Sequence, residues 1–404
     1  MFRSRNEAAA VIVAALGYFV DIYDLVLFSV VRKASLESIG VTGDELLSTG
    51  IYLLNVQMVG LLLGGILWGV WGDKKGRISV LFGSIALYSL ANLANGFVGS
   101  VESYAACRFF AGIGLAGELG AGITLVSELL TKEFRGYGTT IIATVGVSGA
   151  VAAGLVSDLF PWQTAYFVGG GLGLALLLLR MAVSESGMFE SLLEKQVRRG
   201  DLILLVTSPS RLAKYAACIL CGVPIWYAIG ILITFSPEMG KAMDMFIVPT
   251  AGRAVLYCYA GLVVGDLTSG LLSQWAKSRK LVIIFFLALC CGTFYTYLLA
   301  HQPSLFEFYC MCTAIGFSGG YWALFVSSAA EQFGTNLRST VTTTVPNFVR
   351  GSVVPITLTF DWLKGRVGIL DAASYVGAIC LILAVLATYR LHESFGKDLD
   401  YLEQ

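Results

Sequence analysis

The stretch SELLTKEFRG (residues 127–136) is answered by AEQFGTNLRS (residues 330–339). In each, a Glu follows a small residue and an Arg stands seven places on: Glu128 with Arg135, then Glu331 with Arg338. The separation is half of a 404-residue chain. Two further echoes share it. GVWGDKKGRISVL from Gly69 is matched by GLLSQWAKSRKLV from Gly270, with Gln274 in place of Asp73. SESGMF from Ser184 is matched by HESFGKDLDYLE from His392, with Glu185 and Glu393 as the shared carboxylates. Three echoes at one offset of roughly 200 positions predict two structurally repeated halves.

Composition says what the halves are made of. The chain is 56% hydrophobic and 13% charged, with 46 Gly, about half the charge of an ordinary soluble domain. A soluble fold of this length needs more polar surface, so this composition predicts an all-α integral membrane protein. A net charge of zero gives no reason to expect nucleic acid as a partner. Stretches long enough to cross the hydrocarbon core fall at about 8–31, 46–71, 78–99, 104–130, 137–157, 164–182, 212–236, 246–272, 281–300, 305–329, 340–361 and 372–390. These twelve predicted spans form two groups of six: an N-terminal bundle over 1–182 and a C-terminal bundle over 212–390. Between them lies a cytoplasmic linker, 183–211, and after them a tail, 391–404. DLILLVT (201–207) is too short to span and is expected to lie along the membrane or to start the seventh span.

With both termini placed inside, about 19 of the 27 Lys and Arg fall on the inner side and about 5 outside. The first span is too long, and holds too many acids, for a cleaved signal peptide. The short loops favour a bacterial inner (plasma) membrane, and the chain is expected to act as a monomer. All nine Cys fall in predicted spans, and the Cys218/Cys221 pair lacks the second pair a zinc site needs. No metal, no cofactor and no enzymatic site is expected. Gly112, Gly114 and Gly117 match G-x-G-x-x-G, but inside an apolar span closely spaced Gly serve helix packing.

Gly69-x3-Asp73-x2-Gly76-Arg77 resembles the signature between the second and third helices of the major facilitator superfamily. Arg108-Phe-Phe-Ala-Gly112-Ile-Gly114, the two Glu/Arg pairs, the Glu185-Ser and Glu393-Ser ends and the closing ESFGKDLDYLE resemble its sugar-porter and metabolite:proton symporter branches. The chain departs from that pattern at Gln274 and Lys277, in lacking a Pro between Glu128 and Arg135, and at Gly187-Met188. The resemblance implies twelve transmembrane helices in two pseudo-symmetric six-helix bundles that rock around a central cavity. It also implies that Asp73, Arg77, Glu128, Arg135, Glu185, Glu331, Arg338 and Glu393 form a cytoplasmic latch. The plainer reading of those charges is positive-inside anchoring.

Charges inside spans are costly, about 2.5–3.5 kcal/mol each on insertion scales. Asp21 and Asp24 in span 1, Arg108 and Glu118 in span 4, Arg253 and Asp266 in span 8 and Arg350 in span 11 therefore need partners or a wet cavity. At 1.5 Å per residue, Asp24 and Arg108 lie at compatible depths, roughly 10 Å and 6 Å from the outer side. Family resemblance makes that pair the proton switch, with Asp21 and Glu118 as neighbouring carboxylates. A static ion pair is the plainer alternative. Asn55, Gln57, Trp226, Tyr227, Tyr321, Trp322, Asn347 and Arg350 fall at mid-depth and are candidate contacts for a small polar organic solute, with Arg350 pointing to an anion. Pro346 and Pro355 bracket Arg350 and predict a bend. The function expected is a secondary active transporter of an organic acid, sugar or similar metabolite by proton symport. The alternatives are a proton-driven exporter or antiporter, or a non-transporting sensor on the same scaffold.

Overall fold

The computed structural model describes residues 5–43, 45–120, 122, 135–180, 205 and 207–396. The first half comprises α1 (Arg5–Ser38), α2 (Glu45–Lys75), α3 (Arg77–Asn95), α4 (Val101–Leu115), α5 (Arg135–Leu159) and α6 (Trp162–Arg180). The second comprises α7 (Pro209–Tyr227), α8 (Ser236–Ala242), α9 (Ala251–Ala276), α10 (Arg279–Leu298), α11 (Leu305–Gly319), α12 (Trp322–Glu331), α13 (Thr335–Gly351), α14 (Val353–Val367) and α15 (Ile369–Arg390). Among the described residues ten helical stretches are long and apolar enough to cross a membrane. The other two predicted spans are the fourth, described only in part, and the eleventh, whose first part is too polar.

Three spans are interrupted where the sequence dictates. Pro224 removes a backbone donor from α7, and the helix continues as a π-helical turn over Ala228–Ile233. The tenth span breaks at Gly319–Gly320 into α11 and α12. The eleventh breaks at Ser352, two residues beyond Arg350, as the two prolines predicted. The eighth starts at Ala251, five residues later than its hydropathy suggested, because Pro249 ends the preceding loop.

The repeated signature is visible as repeated geometry. Gly76, between α2 and α3, has φ 95°, and Lys277, at the matching turn between α9 and α10, has φ 50°. Both turns need a left-handed residue, and Gly76 takes it without strain. The G-x-G-x-x-G stretch is a packing face: a side chain at Gly112 would strike the Gln57 carbonyl of α2, and one at Gly60 the Phe109 carbonyl of α4.

Glu393, just after α15, caps α10. Its carboxylate accepts from the amides of Arg279 (2.9 Å) and Lys280 (3.3 Å) and from Ser278 Oγ. Partial burial pushes this carboxyl up, but those bonds and one from the Phe395 amide outweigh it and hold the group below the usual carboxylate range. A depressed folded-state value gives support that is present above the usual range and lost as pH falls through it. Glu393→Ala is expected to cost about 0.5–1 kcal/mol at neutral pH, at the low end for a cap because the carboxylate is exposed. Melting curves in detergent should show that gap closing as pH drops below about 4.

Candidate functional site

The two halves meet along α1, α2 and α5 on one side and α9, α12, α13 and α14 on the other, with a small central space between them. Tyr18 and Ile22 of α1, Val147 of α5, Trp226 of α7, Tyr259 of α9, Trp322 of α12 and Arg350 of α13 line it. It holds about 10 Å³, room for about one water. A ring-sized solute enters only when the halves part.

Arg350 dominates this centre. It is 1% exposed, and its Nη2 lies 3.6 Å from Oδ2 of the fully buried Asp21 in the other half. Its guanidinium stands 5.6 Å from the Trp322 ring and 5.9 Å from the Trp226 ring, within cation–π range. The two indoles meet edge-on at 6.4 Å, and Trp322 Nε1 donates to Tyr18 Oη at 2.8 Å across the half boundary. Asn347 accepts from Arg350 Nη1 at 3.4 Å and donates to the Ala116 carbonyl at 2.7 Å. Glu118, also buried, is near enough for its charge to act on Asp21.

The expected Asp24–Arg108 ion pair is not formed. Arg108 donates through Nη2 to Gln57 Oε1 and stands 5.0 Å over the Phe28 ring. Asp24 turns instead toward α6, where its Oδ1 abuts Gly169. The two residues stand at compatible heights in their spans, but each presents its side chain to a different neighbour. The central pair is Asp21–Arg350.

The other candidates divide. Trp226, Trp322 and Arg350 line the centre, with Asn347 beside it. Gln57 holds Arg108. Asn55 accepts from Thr357 Oγ1 at 2.8 Å and borders a lateral groove of about 470 Å³ between α2 and α14. Tyr227 and Tyr321 are absent from the lining of the centre: Tyr227 donates to the Ala373 carbonyl (2.7 Å), and Tyr321, in the break between α11 and α12, donates to the Cys221 carbonyl (3.0 Å). Arg253 is the third residue of α9, half-exposed, and pairs with Asp158 at 3.7 Å. It is an end-of-helix charge, not a mid-span cation.

Of the expected latch, Glu128 and Glu185, and the side chains of Asp73, Arg77 and Arg135, lie outside the described residues. Glu331 pairs with Arg279 at 3.2 Å and accepts from Ser394 Oγ at 2.7 Å. With Glu393 it ties the α9–α10 turn, the end of α12 and the tail together within one half. Arg338 is buried at the start of α13. Across the halves, closure on this side comes from α2 against α13, with Gly69 on Thr340 and Gly65 on Asn347. Arg279 was missed, although it stands two places beyond the Lys277 of the degraded signature.

A further pair went unseen. Arg32, at the far end of α1, donates to both Glu238 oxygens at 2.8 and 3.1 Å and to the Leu46 carbonyl at 3.3 Å. Thr234 reinforces the contact by donating to Ser29 Oγ at 3.1 Å. No sequence signal couples residues 206 positions apart.

Two helical bundles closed on both faces around a buried guanidinium define a membrane solute transporter. Residues 14–356 match the family model of the Major Facilitator Superfamily, and the chain belongs to that family. It is 24% identical over 342 residues to a putative niacin/nicotinamide transporter, NiaP, of Bacillus subtilis, covering 84% of each chain. It is 32% identical over 149 residues to the 3-(3-hydroxy-phenyl)propionate transporter of Escherichia coli, covering 36% of each. The fold superposes on the proton:xylose symporter XylE with TM-score 0.74 at 15% identity, covering 98% of both chains.

Proposed function

We propose that this chain imports a small aromatic or heteroaromatic carboxylate together with a proton, as a monomer in a bacterial inner membrane with both termini cytoplasmic. The observation that carries the reading is Arg350, buried between two indole rings and facing Asp21 of the opposite half. A guanidinium suits a carboxylate, and flanking indoles suit a flat ring. Niacin and 3-(3-hydroxyphenyl)propionate, named in two relatives, are ring-bearing carboxylic acids, which supports the same class.

The mechanism follows from charge conservation in a low-dielectric site. When the halves part, the incoming carboxylate takes Asp21's place on Arg350. Asp21 cannot stay buried as an unpaired anion, so it binds a proton as the solute arrives. The halves 1–182 and 212–390 then rock about the linker 183–211 and open on the other side. There the solute leaves, Asp21 releases its proton, and the Asp21–Arg350 pair re-forms. Proton and anion cross together because either alone leaves a bare charge at the centre. Asp24, Arg108 and Glu118 act on the same proton from within the first half. Asp73, Arg77, Glu128, Arg135, Glu185, Glu331, Arg338 and Glu393 serve the cytoplasmic closure.

The test is uptake by proteoliposomes, acid outside, of labelled nicotinate, 3-(3-hydroxyphenyl)propionate and xylose. One of the acids should accumulate against its gradient, xylose should not, and a protonophore should collapse the accumulation. Accumulation of xylose alone, or of an acid only when the interior is acidified, would reject the proposed cargo or direction.

A further inference from the structure

Asp24 faces away from the solute path. It is absent from the lining of the central space and lies in the seam between α1, α3 and α6, with Oδ1 against Gly169 of α6 and the Asn92 side chain of α3 beside it. While the halves are closed, the centre has room for about one water. Along the seam α3 presents Ser89, Asn92 and Asn95 at intervals of three, one face of the helix. All three are 0% exposed. Polar side chains at membrane depth are expensive and mark pathways.

These groups are also incompletely bonded. Asn95 Nδ2 donates to Asn92 Oδ1 at 3.3 Å. Among the described residues Ser89 Oγ and Asn95 Oδ1 have no hydrogen-bond partner, and the Asp24 carboxyl has none beyond the Asn92 amide set against it. Buried polar atoms left open in this way are the ones bridged by internal water. Asn95 is the last residue of α3, so the row runs to the end of that helix, where the chain turns at Gly96. The row from Ser89 to Asn95 spans about 9 Å.

We propose that the Ser89–Asn92–Asn95 row is a water-lined proton route joining Asp24 to the membrane face at which α1 and α3 end, separate from the solute path. The amides bind no proton themselves. Each offers a donor and an acceptor that orient water, so that a proton entering at Asn95 is relayed to the Asp24 carboxyl and no other bond changes. The other charged or titratable groups around Asp24 are Asp21 on its own helix, Arg108 on α4, and Tyr23 and Tyr166. Tyr23 donates to the Ala165 carbonyl, and Tyr166 shares a 2.7 Å bond with Tyr104. The Arg108 charge nearby argues against a metal cation here.

This rests on the proton coupling proposed above, and the test separates the two. Infrared spectra of purified protein moved from H2O to D2O report exchange of the Asp24 carboxyl proton, with Asp24→Asn identifying the band, and need no cargo. Asn92→Leu and Asn95→Leu should slow that exchange about tenfold or more, and Asn95→Ser, which keeps a polar group, should restore it. In proteoliposomes the same Leu variants should lower proton-driven uptake of whichever of nicotinate and 3-(3-hydroxyphenyl)propionate the wild type carries by about tenfold. Counterflow exchange, which needs no net proton movement, should stay within about twofold. Unchanged exchange of the Asp24 band in both folded Leu variants would overturn the route. Fast, variant-sensitive exchange in a protein that accumulates neither acid would uphold the route and reject the proposed cargo.

Discussion

Arg350→Gln is expected to reduce uptake at least about 100-fold and to lower the melting temperature at the same time. The first effect is loss of the one group at the centre suited to a carboxylate, and the second follows from Asp21. Fully buried in this closed state, Asp21 would lose its counter-charge, and removing one member of a buried pair costs about 3–5 kcal/mol. Combining Arg350→Gln with Asp21→Asn removes the bare charge, so stability should return while transport stays absent. That split separates a binding role from a structural one. Arg350→Lys should keep most of the stability yet transport about tenfold more slowly, since an ammonium lacks the planar fork and stacks poorly between indoles. Asp21→Asn alone frees Arg350 permanently: counterflow should persist while proton-driven accumulation is lost. An Arg350→Gln protein that carried an aromatic acid with unchanged KM would refute the proposed site.

What the sequence could deliver tracks the length scale of each interaction. Hydropathy and repeated loop motifs are local, and they gave twelve spans in two halves, which the superfamily match and the superposition on XylE support. Arg350 and Asp21 were both legible as charges too costly to bury idle. Their pairing was not, because depth along a helix is read from residue count while facing depends on how helices pack. The same blindness produced Asp24–Arg108, put Tyr227 and Tyr321 among the candidate contacts, and made Arg253 a mid-span charge when Pro249 delays the start of its helix. Arg32–Glu238 had no local signature at all. Each member is an ordinary end-of-span charge until the halves close and bury it.

Breaking the Arg32–Glu238 pair should bias the whole cycle and, with both termini cytoplasmic as proposed, bias it toward the outside. In this closed state Arg32 is 2% and Glu238 21% exposed, and they join the first half to the second on the face where α1 ends. Glu238→Gln leaves Arg32 buried without its counter-charge unless the outer side opens and hydrates it. Glu238 keeps some solvent contact, so the penalty falls below the figure for a fully buried pair, at about 1.5–2 kcal/mol. That is a tenfold to roughly thirtyfold shift toward the outward-open state. On the opposite face the seam is α2 against α13, where a side chain added at Gly65 would press on Asn347. Gly65→Leu should wedge that side and bias the protein inward. The readout is a Cys placed at Val147 in the central lining, in a background whose nine native cysteines are replaced. A membrane-impermeant maleimide added outside should label it about tenfold faster in Glu238→Gln and more slowly in Gly65→Leu, and inside-out vesicles should reverse the order. Labelling of Glu238→Gln at the wild-type rate from both sides, with Gly65→Leu still shifted, would mean that Arg32–Glu238 is a passive surface contact, leaving Asn347 and the α2–α13 seam to set which face opens.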